Sequence, residues 1–192
     1  MSEQELQLLK DIVGELVAQG RYDLLMQSIG VPALQRLNIE AAKARLSELV
    51  ITHDFRFFLP AYGKEVEMEP IHKTLYLFFL NQTEGIELKR LIDYRNELLD
   101  IYNLICRRTK KIAKEESIDR LVNPLDNSIH EKCARIKKAF SLCMDEYQLS
   151  YYAISAHTVR HVGNSSKVWF ERKKSVTLPR QLVKSEIQED TP

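Results

Sequence analysis

The chain has 192 residues, 44% of them hydrophobic and 29% charged, and a formal net charge of +1. This size and balance fit one globular domain with a small appendage and exclude a collagen-like, mucin-like or wholly disordered chain. Apolar runs such as Leu75–Leu80 fall far short of the roughly 18 residues of a membrane helix, and Met1-Ser2-Glu3-Gln4-Glu5 is too acidic for a signal peptide. Cys106, Cys133 and Cys143 are odd in number and widely spaced, which reads as reduced thiols in the cytoplasm.

Glu3–Gln19 places Leu6, Leu9, Val13 and Leu16 with Val17 at helical spacing and predicts an amphipathic helix stopped by Gly20. Arg21–Ile29 predicts a second helix closed by Gly30 and Pro32. Ile39–Val50 predicts a third, with Ala42, Leu46 and Leu49 on one face. Residues 1–52 read as a helical extension, too small to fold well alone, that packs on the rest or on a second copy of itself. Phe55–Leu59 and the alternating Lys64–Glu69 flank a turn at Pro60–Gly63 and predict a β-hairpin over Phe55–Met68.

Pro70 suits the first position of a helix running through Ile71–Asn81, with Leu75, Phe78 and Phe79 in the core. Gly85 ends the turn Thr83-Glu84-Gly85, where a positive φ is available to it. The helical pattern resumes over Ile86–Ile92 and Arg95–Ala113, the second with Leu98, Ile101, Tyr102 and Ile105 inward. Residues 114–126 read as a connector. A helix over Ser128–Met144 follows, capped by Asn127 or Ser128 with Glu131 placed for a capping box. Tyr151–Ser155 and Lys167–Phe170 read as strands of a hairpin turned at Gly163–Ser166. Val176–Leu178 reads as one more short strand, and residues 179–192 as a polar, disordered tail.

The small net charge hides an asymmetry. Residues 127–184 hold 11 Lys and Arg against 4 Asp and Glu, whereas residues 1–60 hold 6 against 8. A block of that sign favours an anionic partner, nucleic acid above all. On a helix over 128–144, Ile129, Cys133, Ile136, Phe140 and Cys143 fall within about 45° of one direction and predict a buried stripe. Arg135 and Lys138 point the opposite way with Glu131, while Lys132 and Lys137 flank the stripe and reach outward. A basic face with short neighbours such as Ala134 and Ser141 can enter the DNA major groove. The hairpin after it adds Arg160, His161 and Lys167, with Arg172, Lys173 and Lys174 just beyond.

The order hairpin, helix, helix, helix, hairpin resembles the winged-helix effector domain of response-regulator transcription factors. Val66-Glu67-Met68-Glu69-Pro70-Ile71-His72-Lys73-Thr74-Leu75 is similar to that family's strand leading into its first helix. Glu84-Gly85-Ile86-Glu87-Leu88-Lys89-Arg90-Leu91 is similar to the turn into its second. Asn127 through Phe140 resembles its recognition helix and Tyr151–Phe170 its wing, so the likeness covers residues 55–178. Asp93–Asp126 is longer than the corresponding segment of that family, the aromatic-glycine pair that closes its wing is missing, and residues 1–50 lack the acidic strand ends of a receiver domain. The chain is also similar to small proteins of Bacteroidetes-type bacteria, which implies a bacterial cytosolic setting.

Other chemistry finds little support. His157 and His161 are four apart but on a hairpin, with no carboxylate or cysteine at ligand spacing. Cys133 and Cys143 lie about 15 Å apart along one helix, too far to bridge. The six glycines form no phosphate loop, and no Ser-x-x-Lys or Gly-x-Ser-x-Gly occurs, so no enzyme, cofactor or metal is expected. Among the aromatics near basic residues, Tyr151, Tyr152, Trp169 and Phe170, one of Trp169 and Phe170 is expected to point into the core.

The expected fold is α+β and mostly helical: the helical extension, then a winged-helix-like domain over 53–178 with an N-terminal β-hairpin and a C-terminal hairpin wing. The expected function is duplex DNA binding as a bacterial transcriptional regulator. Lys132, Arg135, Lys137 and Lys138 on the helix and Arg160 and Lys167 on the wing would make the contacts, and the N-terminal helices would form a homodimer. The alternative is a protein-interaction module that uses the same fold without DNA, since fold alone does not set function.

Overall fold

In a computed structural model the described residues are 3–29, 31–106, 111–162 and 168–187, with side chains described for all of them except 31–35, 160–162 and 169. The chain is α+β, mostly helical, and divides into two units after Arg45.

The first unit holds α1 (Glu3–Ala18), α2 (Tyr22–Ile29) and α3 (Val31–Ala44). Gly20 takes φ +68° and stops α1. Its N–H bonds the Val17 carbonyl at 3.0 Å and the Arg21 N–H bonds that of Leu16 at 2.8 Å, a Schellman closure that satisfies two otherwise orphaned carbonyls. Neither α1 nor α2 contains a buried residue. Leu6, Leu8, Leu9, Ile12, Val13 and Val17 all remain exposed. The third helix starts earlier than the sequence pattern places it, with Pro32 in its first turn, where a missing N–H breaks no helical bond.

Leu49–Ile51, expected within the helical extension, is instead a strand of the second unit. This β1 pairs antiparallel with β2 (Phe57–Leu59), which pairs antiparallel with β3 (Lys64–Glu65). The hairpin expected over Phe55–Met68 therefore forms, with shorter strands. Phe55 itself sits in the β1–β2 turn at φ +59°. Leu49, Ile51, Phe57 and Leu59 are buried, so one face of the sheet supplies the core.

Behind the sheet lies α4 (Pro70–Asn81), with proline at its first position as the sequence requires. Leu75, Tyr76, Phe78 and Phe79 are fully enclosed. A 3-10 segment, Leu88–Tyr94, replaces the expected helix over Ile86–Ile92 and leads into α5 (Arg95–Ile105). The connector expected over 114–126 is mostly helical: α6 runs Lys111–Val122 and buries Ile118, Leu121 and Val122. It also buries Lys114, whose Nζ donates to the Asn103 side-chain oxygen at 3.1 Å.

The basic helix is α7 (Ser128–Ser141), ending three residues before the expected Met144. The expected capping box is absent. The Asn127 side chain makes no cap bond, and the Asp126 carboxylate instead accepts from the Ser128 N–H at 2.8 Å. After α7 comes α8 (Glu146–Tyr152), in place of the strand expected from Tyr151. Asp145 caps it, accepting from the N–H groups of Tyr147 and Gln148 at 3.0 Å each.

A row of rings ties these layers together. Phe57 meets Tyr76 at 5.6 Å, Tyr76 meets Phe140 at 4.9 Å, and Phe140 stacks on Tyr152 at 5.6 Å. The row runs from the sheet through α4 and α7 to α8, and such pairs stabilise beyond their buried area.

The long hairpin is β4 (Ile154–Val162) with β5 (Val168–Val176), antiparallel from Ile154 opposite Val176 to Val162 opposite Val168. The separate strand expected at Val176–Leu178 does not form; Val176 ends β5, and Thr177 and Leu178 lie outside any strand. Ile86 bridges to Lys174 of β5 by two backbone bonds of 2.9 and 2.8 Å. Residues beyond Pro179 do not form the expected disordered tail as far as 187. A 3-10 turn, Arg180–Leu182, delivers β6 (Val183–Ser185), which joins the first sheet parallel to β1. Local sequence gives little sign of β6, because its partner lies at the opposite end of the unit. Residues 188–192 lie outside the described residues.

Candidate functional site

The candidate site starts from how α7 is seated. Ile129, Cys133, Ile136 and Phe140 are buried and Cys143, just past the helix, is half-buried, as the stripe predicts. α7 packs on α4, α6, α8 and β4 through that stripe. With the apolar side fixed, geometry decides the other side: Ala134, Arg135, Lys137 and Lys138 are exposed and Lys132 is half-buried. Among the described residues, many other basic side chains of the unit are tied to carboxylates, for example Arg56 to Glu65, Arg95 to Asp119 and Arg120 to Asp126. Among the described residues, Lys132, Arg135, Lys137 and Lys138 carry no such ion pair. Their charge is left for solvent or a partner.

His72 of α4 lies beneath this face. It is 4% exposed, and its Nε2 is buried with no hydrogen-bond partner. Burial pushes its imidazole below the ordinary value, Lys132 and Arg135 push the same way, and Glu69, 3.8 Å from its Nδ1, pulls up. The histidine therefore registers the positive potential of α7. Glu67 and Glu69 border Arg135 and Lys138 on one side, and Leu142, just past the helix, is 71% exposed beside them. Lys64 donates to the Leu142 carbonyl at 2.9 Å, where the last carbonyls of a helix attract a cation.

The residues expected on a hairpin wing fare differently. Arg160 lies on β4 opposite Phe170, but its side chain is not among those described, and Lys167 lies outside the described residues. The turn Gly163–Ser166 and the side chains of His161 and Trp169 are likewise outside. Phe170 does not enter the core; it is 68% exposed. The return strand, expected to end at Phe170, continues as β5 through Val176. Arg172 is exposed, and Lys173 is paired with Glu171 at 3.4 Å on the opposite face of β5. The two-residue alternation of a strand is the signal that separates Arg172 and Lys174 from Lys173.

Burial pushes the Cys133 and Cys143 thiols above their ordinary value, which keeps them protonated. No three His, Cys, Asp or Glu side chains gather as a metal cage among the described residues. No described helix is long and apolar enough to cross a membrane. Comparison with protein-family models, with curated proteins and with solved structures finds no match to this chain.

Proposed function

We propose that the chain is a bacterial cytoplasmic transcriptional regulator that binds duplex DNA in the manner of a winged helix. In this reading α7 enters the major groove and the β4–β5 hairpin follows the adjacent backbone. The observation that carries the reading is the unpaired basic face of α7: Arg135, Lys137 and Lys138 stand exposed, with Lys132 at its margin, on a helix whose opposite side is locked into the core. The hairpin after it is basic as well, and its strand β5 is anchored to Ile86 in the turn after α4. Arg160 and Lys167 are assigned wing contacts by their place in the sequence. The exposed apolar faces of α1 and α2 support pairing of two copies through the N-terminal unit, which matches paired DNA half-sites.

The test is fluorescence anisotropy of a labelled random-sequence duplex titrated with the full chain between about 50 and 200 mM salt. Binding weakens steeply with salt. In the Arg135→Ala/Lys138→Ala variant it weakens further, and the log–log salt slope falls by about 2. No binding of the wild-type chain at the lowest salt would refute the reading.

A second reading, a protein-interaction module, is favoured by one observation. Leu142 is exposed beside Lys138, with Glu67 and Glu69 near, so this face mixes apolar, acidic and basic groups as protein interfaces do. Salt-insensitive capture of a protein partner, lost in Leu142→Asp, would favour it.

A further inference from the structure

A cleft of about 380 Å³ lies between α7 and the hairpin, lined by Glu87, Leu88, Lys89, His130, Ala156, Arg172 and Lys174. Four chain segments build it, with Ala156 of β4 as one wall. The turn after α4 brings Glu87 and Lys89, the first turn of α7 brings His130, and β5 brings Arg172 and Lys174 two residues apart on one strand face. The cleft exists because the turn and β5 touch. Gly85, at φ +70°, lets Ile86 exchange both backbone bonds with Lys174.

The charges in this cleft do not cancel. Glu87 is bound to Lys89 at 2.9 Å, yet the Lys89 side chain keeps 73% of its exposure. Arg172 and Lys174 make no ion pair among the described residues, whereas their neighbour Lys173 lies 3.4 Å from the Glu171 carboxylate on the far face. Three cations face one carboxylate, and His130 adds a ring nitrogen. Two uncompensated positive charges match the charge of a phosphate monoester, about −1.5 to −2 at neutral pH. An Arg fork, two ammonium groups and an imidazole can also serve several oxygens of one tetrahedral anion. A single carboxylate ligand would leave one cation unanswered. The cleft's volume lies within the range of small-ligand sites.

We propose that this cleft is a phosphoryl-binding site, with Lys89, Arg172 and Lys174 holding the anion and His130 donating to it. The phosphoryl group comes either from a free phosphorylated small molecule or from a DNA backbone phosphate. The first source stands whether or not the chain binds DNA; the second rests on the function proposed above.

Two measurements on the full chain separate these cases: calorimetric titration with pyrophosphate at about 50 mM salt, and duplex anisotropy across the same salt range. Each is made on wild type, on Arg172→Gln/Lys174→Gln and on Lys111→Gln, which lies on α6 outside both the cleft and the proposed DNA contacts. Lys89→Gln, which leaves β5 untouched, stands in if the double variant melts early. Pyrophosphate binding at millimolar affinity or better, weakened at least tenfold by the cleft variant and unchanged in Lys111→Gln, establishes the free-ligand source. Without pyrophosphate binding, a duplex salt slope that falls by about 2 in the double variant, or by about 1 in Lys89→Gln, establishes the backbone source. Pyrophosphate bound equally by wild type and cleft variant overturns the site. So does the absence of pyrophosphate binding together with a duplex salt slope the variants leave unchanged. Pyrophosphate binding without duplex binding refutes DNA binding alone, and binding of neither refutes both.

Discussion

Gly85→Ala measures the contact on which the hairpin's placement depends. Gly85 has φ +70°, and a Cβ there would lie 2.9 Å from the Lys174 carbonyl oxygen and 3.2 Å from the His157 ring. A left-handed conformation costs a residue with a Cβ about 1–2 kcal/mol. The nearest obstacle is backbone, so the turn must move away from β5, and the two Ile86–Lys174 bonds contribute about 0.5–1.5 kcal/mol each. The expected destabilisation is roughly 2–5 kcal/mol, which for a domain of this size lowers the melting temperature by roughly 5–15 °C. Gly63→Ala is the control: Gly63 has φ +60° but nothing within 4 Å of its Cβ, so it reports the backbone conformation alone. Urea unfolding of both variants, with amide exchange at Ile86 and Lys174, gives the comparison. Equal losses in the two variants, with both amides still protected in Gly85→Ala, would show that the close approach contributes nothing.

Two more predictions concern the core. The depressed imidazole of His72 means that the unfolded chain takes up the proton more readily than the folded one. Stability is therefore full above the ordinary value of 6.5 and falls as the pH drops below it. His72→Leu flattens urea midpoints measured between pH 5 and 7, and an unchanged slope would assign the pH dependence to other groups. The buried Tyr152 hydroxyl donates to the Ser47 carbonyl at 2.6 Å, and Tyr152→Phe should cost about 1–2 kcal/mol in chemical unfolding; no loss would mean that the bond adds nothing beyond packing.

The elements legible in the sequence are those whose partners impose a simple period. α7 shows its stripe because one side faces a flat layer of core and the other faces water. α4 shows itself through Pro70 and a dense apolar run. α6 is hidden because it buries Lys114 among its apolar residues, which blurs the pattern. α8 is hidden because Tyr151-Tyr152-Ala153-Ile154 favours a strand by composition, although Asp145 followed by Glu146 offers a capping signal. The basic face of α7 was readable for the same reason as its stripe. The cleft was not, because Lys89, His130, Arg172 and Lys174 converge only when Gly85 lets a turn close on a strand some 90 residues later.

The parallel pairing of Val183–Ser185 with Leu49–Ile51 bears on how the chain is made. A ribosome releases Leu49–Ile51 long before Val183–Ser185, so the first sheet stays open at one edge for most of synthesis. Its antiparallel strands and α4 can assemble from local sequence, but the last strand must find an edge laid down more than 130 residues earlier, and closing so long a loop is slow. During that interval Leu49, Val50 and Ile51, paired with β2 on one side only, present an open apolar edge, the kind that invites pairing with another chain. Val183–Ser185 thus acts as the closing latch of the sheet, and a chain interrupted before Val183 would leave the ribosome with its aggregation-prone edge uncovered.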